Sequence, residues 1–455
     1  MPADPLTLAI RFGYGLSPLH PPPADADALM AALTGPDRIA RQYRQPPSPL
    51  ALSRVAVQLQ AKRAMNRDET EANRRALRAA NRQLAEDYDD ARRALMARAA
   101  LSPDPFRERL AAFWTDHFTV HLPGGRWRSV VPAYVESAIR PFVAGRFADM
   151  LRAVVTHPAM LVYLDQFQSV GPQSRTGRQS GRGLNENLAR ELMELHTLGV
   201  DGGYTQDDVR ELAELLTGLS ISDEGFAFKP QLAEPGPEVV LGRRYGGAEP
   251  ARLDEVLAAV DDLARHPATA AHLARKLAVH FVSDTPDPDL VAALAARWRE
   301  TDGDLAAVAE RLVTHPAGAA PLGAKAKRPQ EFLLSALRAL GPVPRALTGM
   351  GRRTLDGVFS TPLRAMGQAW LEAPGPDGWP EEAGSWITPQ GLAARITWAM
   401  AAPRVVRPDL PDPRDFVETA LGPLAGRETR FAARAAETGW EGVGLVLASP
   451  EFNRR

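Results

Sequence analysis

Residues 183–218 read GLNENLARELMELHTLGVDGGYTQDDVRELAELLTG. Leu188, Ala189, Leu192, Met193 and Leu195 recur at the i, i+3, i+4 spacing of one apolar helix face. After a glycine-rich turn, Thr205 caps a second helix, with Asp208 at the third helical position in an approximate capping box. The reading is helix, turn, helix, and most of the chain has the same texture. The expected fold is therefore predominantly α: a multi-helix, bundle-like body with a small β-hairpin insertion around residues 224–245.

Outward from that stretch, residues 52–100 hold no Gly or Pro and predict one long helix or a helical hairpin. Its polar segment NRDETEANRRALRAANRQ reads as a solvated face, because acids are interleaved with the bases. FRERLAAFWTDHFTV is a further helix, opened by Ser102-Pro103-Asp104-Pro105 and closed by Pro123-Gly124-Gly125. The steps at His157, His266 and His315 are each His-Pro-Ala, with proline at a first helical position and histidine near the cap. Residues 168–183, QSVGPQSRTGRQSGRG, offer almost nothing to bury and predict a mobile Gly/Ser/Arg loop. The runs Phe226–Phe228 and Val239–Leu241 around a Pro/Gly turn predict a β-hairpin. The expected organisation is an N-terminal helical region 1–167, the loop 168–183, and a region 184–455 continuous with the first.

Composition bounds the function. The 455 residues carry a formal net charge of −1, so no basic field recruits nucleic acid. Cysteine is absent, which removes thiolate metal sites and a cysteine nucleophile. No apolar run is long enough for a membrane span. The first residues show no basic segment followed by an apolar core, so a cytoplasmic protein is expected. No Walker loop, Rossmann fingerprint, GxSxG elbow or HExxH occurs.

On the helix after residue 184, Glu186, Asn187, Arg190, Glu191 and Glu194 share the arc opposite the apolar face, as solvated ion-pair partners do. Asn185 and His196 instead project into the apolar face, and buried polar groups need partners. His117 lies likewise on an apolar stripe among Phe113, Trp114 and Phe118. Two inward histidines from two helices define a candidate site with His117, Asn185, Glu186 and His196 as catalytic groups. His117, His196 and Glu186 would be ligands if a divalent metal is held there. Arg182, Arg190, Arg275 and Lys276 would bind an anionic substrate. The alternative gives each histidine one backbone carbonyl and no chemistry.

The segment NENLARELMELHTLGVDGGYTQDDVRELAELLTG resembles the signature of the bacterial family catalogued as domain of unknown function 1800. FWTDHF at 113–118, HPAMLVYLD at 157–165, HPATAAHLARKLAVHFVSD at 266–284, TDGD at 301–304, KRPQEF at 327–332, PDGWP at 376–380 and the terminal LASPEF extend the resemblance over nearly the whole chain. It implies a gene neighbour resembling sulfatases, hence an accessory role beside such a partner as the alternative to an enzyme. It also implies a periplasmic location for some members, many of which carry export signals. Members often have a His-Asp or His-Glu step in the hairpin region, where this chain has Ala233-Glu234. FWTDH and NEN…HTL also resemble animal haem-peroxidase motifs, which gives a haem-dependent redox protein as a third reading.

Overall fold

The helix Pro105–His117 runs through the middle of the molecule. Asp104 opens it by accepting from Arg107 N, with Pro105 in the first turn. Most of its residues are buried, including Arg107, Glu108 and Arg109. A charged helix can be buried only if each charge is matched. Arg107 takes Asp104 and the carbonyls of Ala32, Leu33 and Gly35. Glu108 pairs with Arg140, and Arg109 with Glu331.

The computed structural model describes residues 3–122, 124–125, 127–222 and 225–455. Helices account for 64% of the chain, and the strands among the described residues form two antiparallel pairs, so the fold is mostly α. The β excursion is two hairpins, β1 (Leu219–Ser222) with β2 (Gly225–Phe228), and β3 (Pro237–Val240) with β4 (Arg243–Gly246). The aromatic and β-branched runs thus do not pair with each other. Each finds a nearer strand, and Pro230–Leu232 makes a 3-10 turn between the hairpins. Glu224, at the start of the expected hairpin, and Pro123, in the expected helix stop, lie outside the described residues; the helix ends earlier, at His117.

The 52–100 stretch is a helical hairpin, Ser48–Arg67 and Glu71–Leu101. The break falls where Thr70 caps Asn73 N at 3.2 Å. Gln58 to Asn81 (3.1 Å) and the Arg54–Asp87 pair tie the two arms. The three His-Pro-Ala steps behave alike: Nδ1 of His157, His266 and His315 accepts from the amide two residues on, at 3.0–3.2 Å.

The 168–183 stretch, expected as loop, contains the helix Arg175–Ser180. Ser174 caps it at Gly177 N (3.0 Å) and Gly177 is buried. Val170 N donates to Gly183 O and Gly171 N to Leu232 O, so backbone pairing holds a segment with few apolar side chains.

The apolar side chains form two cores. One gathers Phe12, Phe106, Trp114, Phe118, Phe147, Phe281 and Trp298. The other gathers Phe332, Trp398, Phe416 and Phe452 with the end of the Glu71–Leu101 helix. The histidine site described next is packed by aromatic rings of the first core.

A candidate histidine–lysine site

The helix Asn187–Glu191 continues into a π-helical turn, Leu192–Thr197. Leu198 N reaches back five residues to Met193 O at 2.9 Å, and Thr197 Oγ1 donates to Leu192 O at 2.6 Å. A π-turn leaves carbonyls without their usual intrahelical donors. Histidines from two other helices fill that role: His117 Nε2 donates to His196 O at 3.2 Å, and His272 Nε2 to Leu195 O at 3.3 Å. His272, on the helix Pro267–Phe281, sits where a side chain at position 199 would be: a Cβ on Gly199 would lie 2.8 Å from His272 Nδ1, and φ there is +86°.

The His117 and His196 ring centroids are 6.0 Å apart, with Phe118 against both. Both residues are at most 2% exposed. His117 Nδ1 and both ring nitrogens of His196 have no hydrogen-bond partner among the described residues. Burial holds His117 well below the ordinary imidazole range, helped by Lys276 and the neighbouring histidines. Burial with Lys276 brings His196 down to about 3, and likewise His272 to about 4. All three rings are neutral at pH 7. Lys276, one turn after His272, makes no salt bridge among the described residues, although Asp116, Glu381 and Asp377 exert a field on it. Burial, the largest effect, lowers its pKa. The site is an unpaired amine over neutral imidazoles with free nitrogens.

A second polar layer flanks this one. Asp116, next to His117, accepts from Arg328 (2.6 Å) and from Trp379 N (3.1 Å). The Trp379 contact requires Gly378: φ is +85°, and a Cβ there would lie 2.6 Å from Asp116 O. His280 Nδ1 donates to Glu381 at 2.6 Å, and its Nε2 faces Arg109 at 3.3 Å. Burial alone would raise Glu381, but His280, Arg328 and Lys325 hold it well below the carboxylate range. Arg109 and Arg455 share Glu331. A cavity of about 110 Å³ opens on the Thr115–Asp116 side of the central helix, lined also by Arg109, Glu331, His280 and Trp379.

The sequence-derived site is partly assembled. His117, His196 and Lys276 are together, and His272 joins them. Asn185 is not with them: its Oδ1 accepts from Asn187 N (2.8 Å) and its Nδ2 reaches the carbonyls of Leu164 and Asp165, so it shapes the helix entry. The Glu186 carboxylate is taken by Arg190 (3.1 Å) and Gln206 (2.9 Å) on the outer face. Arg190 is therefore spent on Glu186 and Gln206. Arg182 donates to Gln168 O, and Arg275 points to solvent from the face beside Lys276. The physical reason is where the helix starts: it begins at Asn187, with Glu186 as its N-cap, so Asn185 lies before it and Glu186 faces Arg190 and Gln206. Among the described residues, the one trio of His or carboxylate groups with ligand atoms within 4.8 Å is Glu211, Glu214 and Glu238, outside this site. The His117–His196–Glu186 ligand set is thus not formed. Arg328 and Glu381 were missed by sequence reading; the charge runs KRPQE and GWPEE were the only signal, and solvated loops carry the same one.

Fold and site define a mostly helical protein with a buried, neutral histidine cluster beside a lysine. Residues 7–454 match the family described as "Protein of unknown function (DUF1800)", and the chain belongs to that family. Its resemblance segments 113–118, 185–199, 266–284, 327–332 and 376–380 are the ones that meet here. No curated protein and no solved structure matches the chain. No helix among the described residues is long and apolar enough to cross a membrane.

Proposed function

We propose that the chain is an enzyme that moves a proton on a small anionic substrate, with His117 and His196 as the proton-transferring pair and Lys276 as the group that attracts the anion. The observation that carries this reading is His196: a buried imidazole with neither nitrogen bonded. Leaving buried polar atoms unpaired costs about 1–3 kcal/mol, and such a cost is retained where a substrate or reacting group supplies the partner. His117 supports it, since Nε2–H is fixed on His196 O and Nδ1 is left as an acceptor. Lys276 supports it as a partly desolvated amine that makes no salt bridge among the described residues.

The test is a pair of variants, His196→Phe and Lys276→Met, assayed across panels of carboxylate and phosphate ester substrates. Both are expected to abolish whatever turnover the wild type shows. His196→Phe is also expected to keep or raise thermal stability, by about 1 kcal/mol, because an apolar ring replaces unsatisfied atoms. If both variants instead lose stability and no turnover changes, the cluster is architectural. The free imidazole nitrogens are also the donors that zinc takes. Metal content of the purified protein, with and without His117→Gln, separates metal-assisted from metal-free proton transfer.

A partner-binding role has one observation in its favour. Leu392 and Ile396, a turn apart on the helix Pro389–Val406, and Phe431 are exposed apolar side chains. Co-purification with a sulfatase-like protein encoded nearby, lost on Phe431→Ser, is the measurement for that reading.

A further inference from the structure

Away from the histidines, a groove of about 750 Å³ runs between the two arms of the long hairpin and the Arg352–Arg364 region, with Gly124, Gly125 and Arg128 at one side. It shares no residue with the His117–His196–Lys276 site. Its volume is in the usual range for a small-molecule site. Among the described residues its walls carry Lys62, Arg92, Arg128, Arg352 and Arg364, against Asp89 and Asp356. Glu372 reaches the rim, bonded to Arg364 at 2.6 Å and 3.9 Å from Arg128. Five cations face three carboxylates, an excess of two positive charges.

One of these cations is buried and the other four line the groove from exposed positions. Arg92 is buried and pinned by Asp89, Asp356 and Ser360. The guanidinium groups of Arg92 and Arg128 lie over the Tyr88 ring at 5.1 and 5.9 Å, and Trp370 packs on the same ring at 5.2 Å. Arg352 uses only Nε, on Asp89, and Arg364 only Nη2, on Glu372. Their remaining N–H groups have no partner among the described residues, and Lys62 has no ion pair. Half-exposed guanidinium groups, each held through one nitrogen and presenting its other N–H groups to the groove, can take a tetrahedral oxyanion through paired hydrogen bonds.

The geometry points to this groove as a binding site for a small phosphomonoester: a dianionic phosphate on a polar body that fills the remaining volume. The dianion matches the excess of two charges, and the volume exceeds what phosphate alone occupies. This site stands independently of the proton-transfer reading.

Isothermal titration of the full chain tests it with glucose 6-phosphate, glucose 6-sulfate and inorganic phosphate as probes. At a pH of about 7.5 the phosphate ester, mostly a dianion, is expected to bind at least about tenfold tighter than the singly charged sulfate ester. That advantage is expected to vanish near pH 5, below the second phosphate pKa of about 6. The double variant Arg128→Ser, Arg364→Ser removes half-exposed groups, and its fold is checked by its unfolding midpoint. It is expected to lose at least about tenfold in affinity for glucose 6-phosphate, while His196→Phe leaves that affinity unchanged. The proposal is overturned by no binding at millimolar probe, by equal affinity of wild type and double variant, or by equal binding of the two esters. Inorganic phosphate binding as tightly as glucose 6-phosphate would overturn the assignment of the remaining volume to a polar body.

Discussion

At the residue scale, His196 and Gly378 show how one position controls the site. His196 is placed by a π-turn whose extra residue rotates the end of its helix, so its ring meets His117. Gly378 acts through the backbone. Its positive φ and contact with Asp116 O admit no side chain, and Asp116 fixes the 376–381 segment beside the central helix. Gly378→Ala is expected to cost about 1–3 kcal/mol in denaturant unfolding, from left-handed strain plus the clash. Gly351→Ala, where an added Cβ meets nothing within 4 Å and φ is negative, should stay within about 0.5 kcal/mol. Equal costs at the two positions would remove the argument for a backbone latch.

At the element scale, the helix Gln206–Leu215 docks its acidic face on strand β3. Glu211 accepts from Val239 N and Asp208 from Leu241 N, both at 2.7 Å. Glu238, 7% exposed, is inserted against Glu211 and Glu214, with Glu234 close by. Burial, then the hydrogen bond with Glu211, pushes it up to about 8. The folded state therefore binds a proton that the unfolded chain releases near the ordinary carboxyl value. The sign follows: this contribution is fully present below about pH 4.5 and is lost as pH rises through 8. Between about pH 6.5 and 8 the melting temperature is expected to fall with rising pH. In Glu238→Gln, which keeps a neutral hydrogen-bonding group, that alkaline slope should disappear. A slope unchanged in the variant would show that other groups produce it. The acid partners are Glu211, which also accepts from Val239 N, and Glu214, itself held by Arg210 at 3.3 Å.

At the scale of the whole molecule, buried histidines set acid stability. Burial brings His157 and His272 to about 4 and His196 and His280 to about 3, and holds His117 well below its ordinary value. Each depressed histidine contributes stability that is complete above its unfolded value near 6.5 and is lost as pH falls toward the folded value. Each costs over about 1 kcal/mol per pH unit in that window. Together they make stability fall steeply on acidification. Cooperative acid unfolding is expected near pH 5, followed by circular dichroism. His157, bonded to Ser48 and Ser137, is distant from the candidate site, so His157→Gln should shift the midpoint downward without touching turnover. The Arg109–Glu331–Arg455 triad joins the two apolar cores. Glu331→Gln leaves two buried guanidinium groups without their anion and should cost about 3–5 kcal/mol.

The sequence by itself determined the mostly helical character, the small β excursion and the three histidine caps. Helical period, proline at first turns and Thr205 with Asp208 are local signals, carried within a few residues. It also marked His117 and His196, because a histidine on an apolar stripe is legible from spacing alone. Tertiary structure decided the rest. Asn185 left the site because the helix begins only at Asn187, so its side chain caps the entry and bonds Leu164 and Asp165 instead of following the helix face. Within 168–183 the helix Arg175–Ser180 formed on a segment tied down by Gly171 N to Leu232 O, a partner out of sequence range. Arg328, Glu381 and the three-way pairing at Glu331 are ion pairs between segments tens to hundreds of residues apart. A charge looks the same in sequence whether water or a buried partner will solvate it, and only packing supplies the answer.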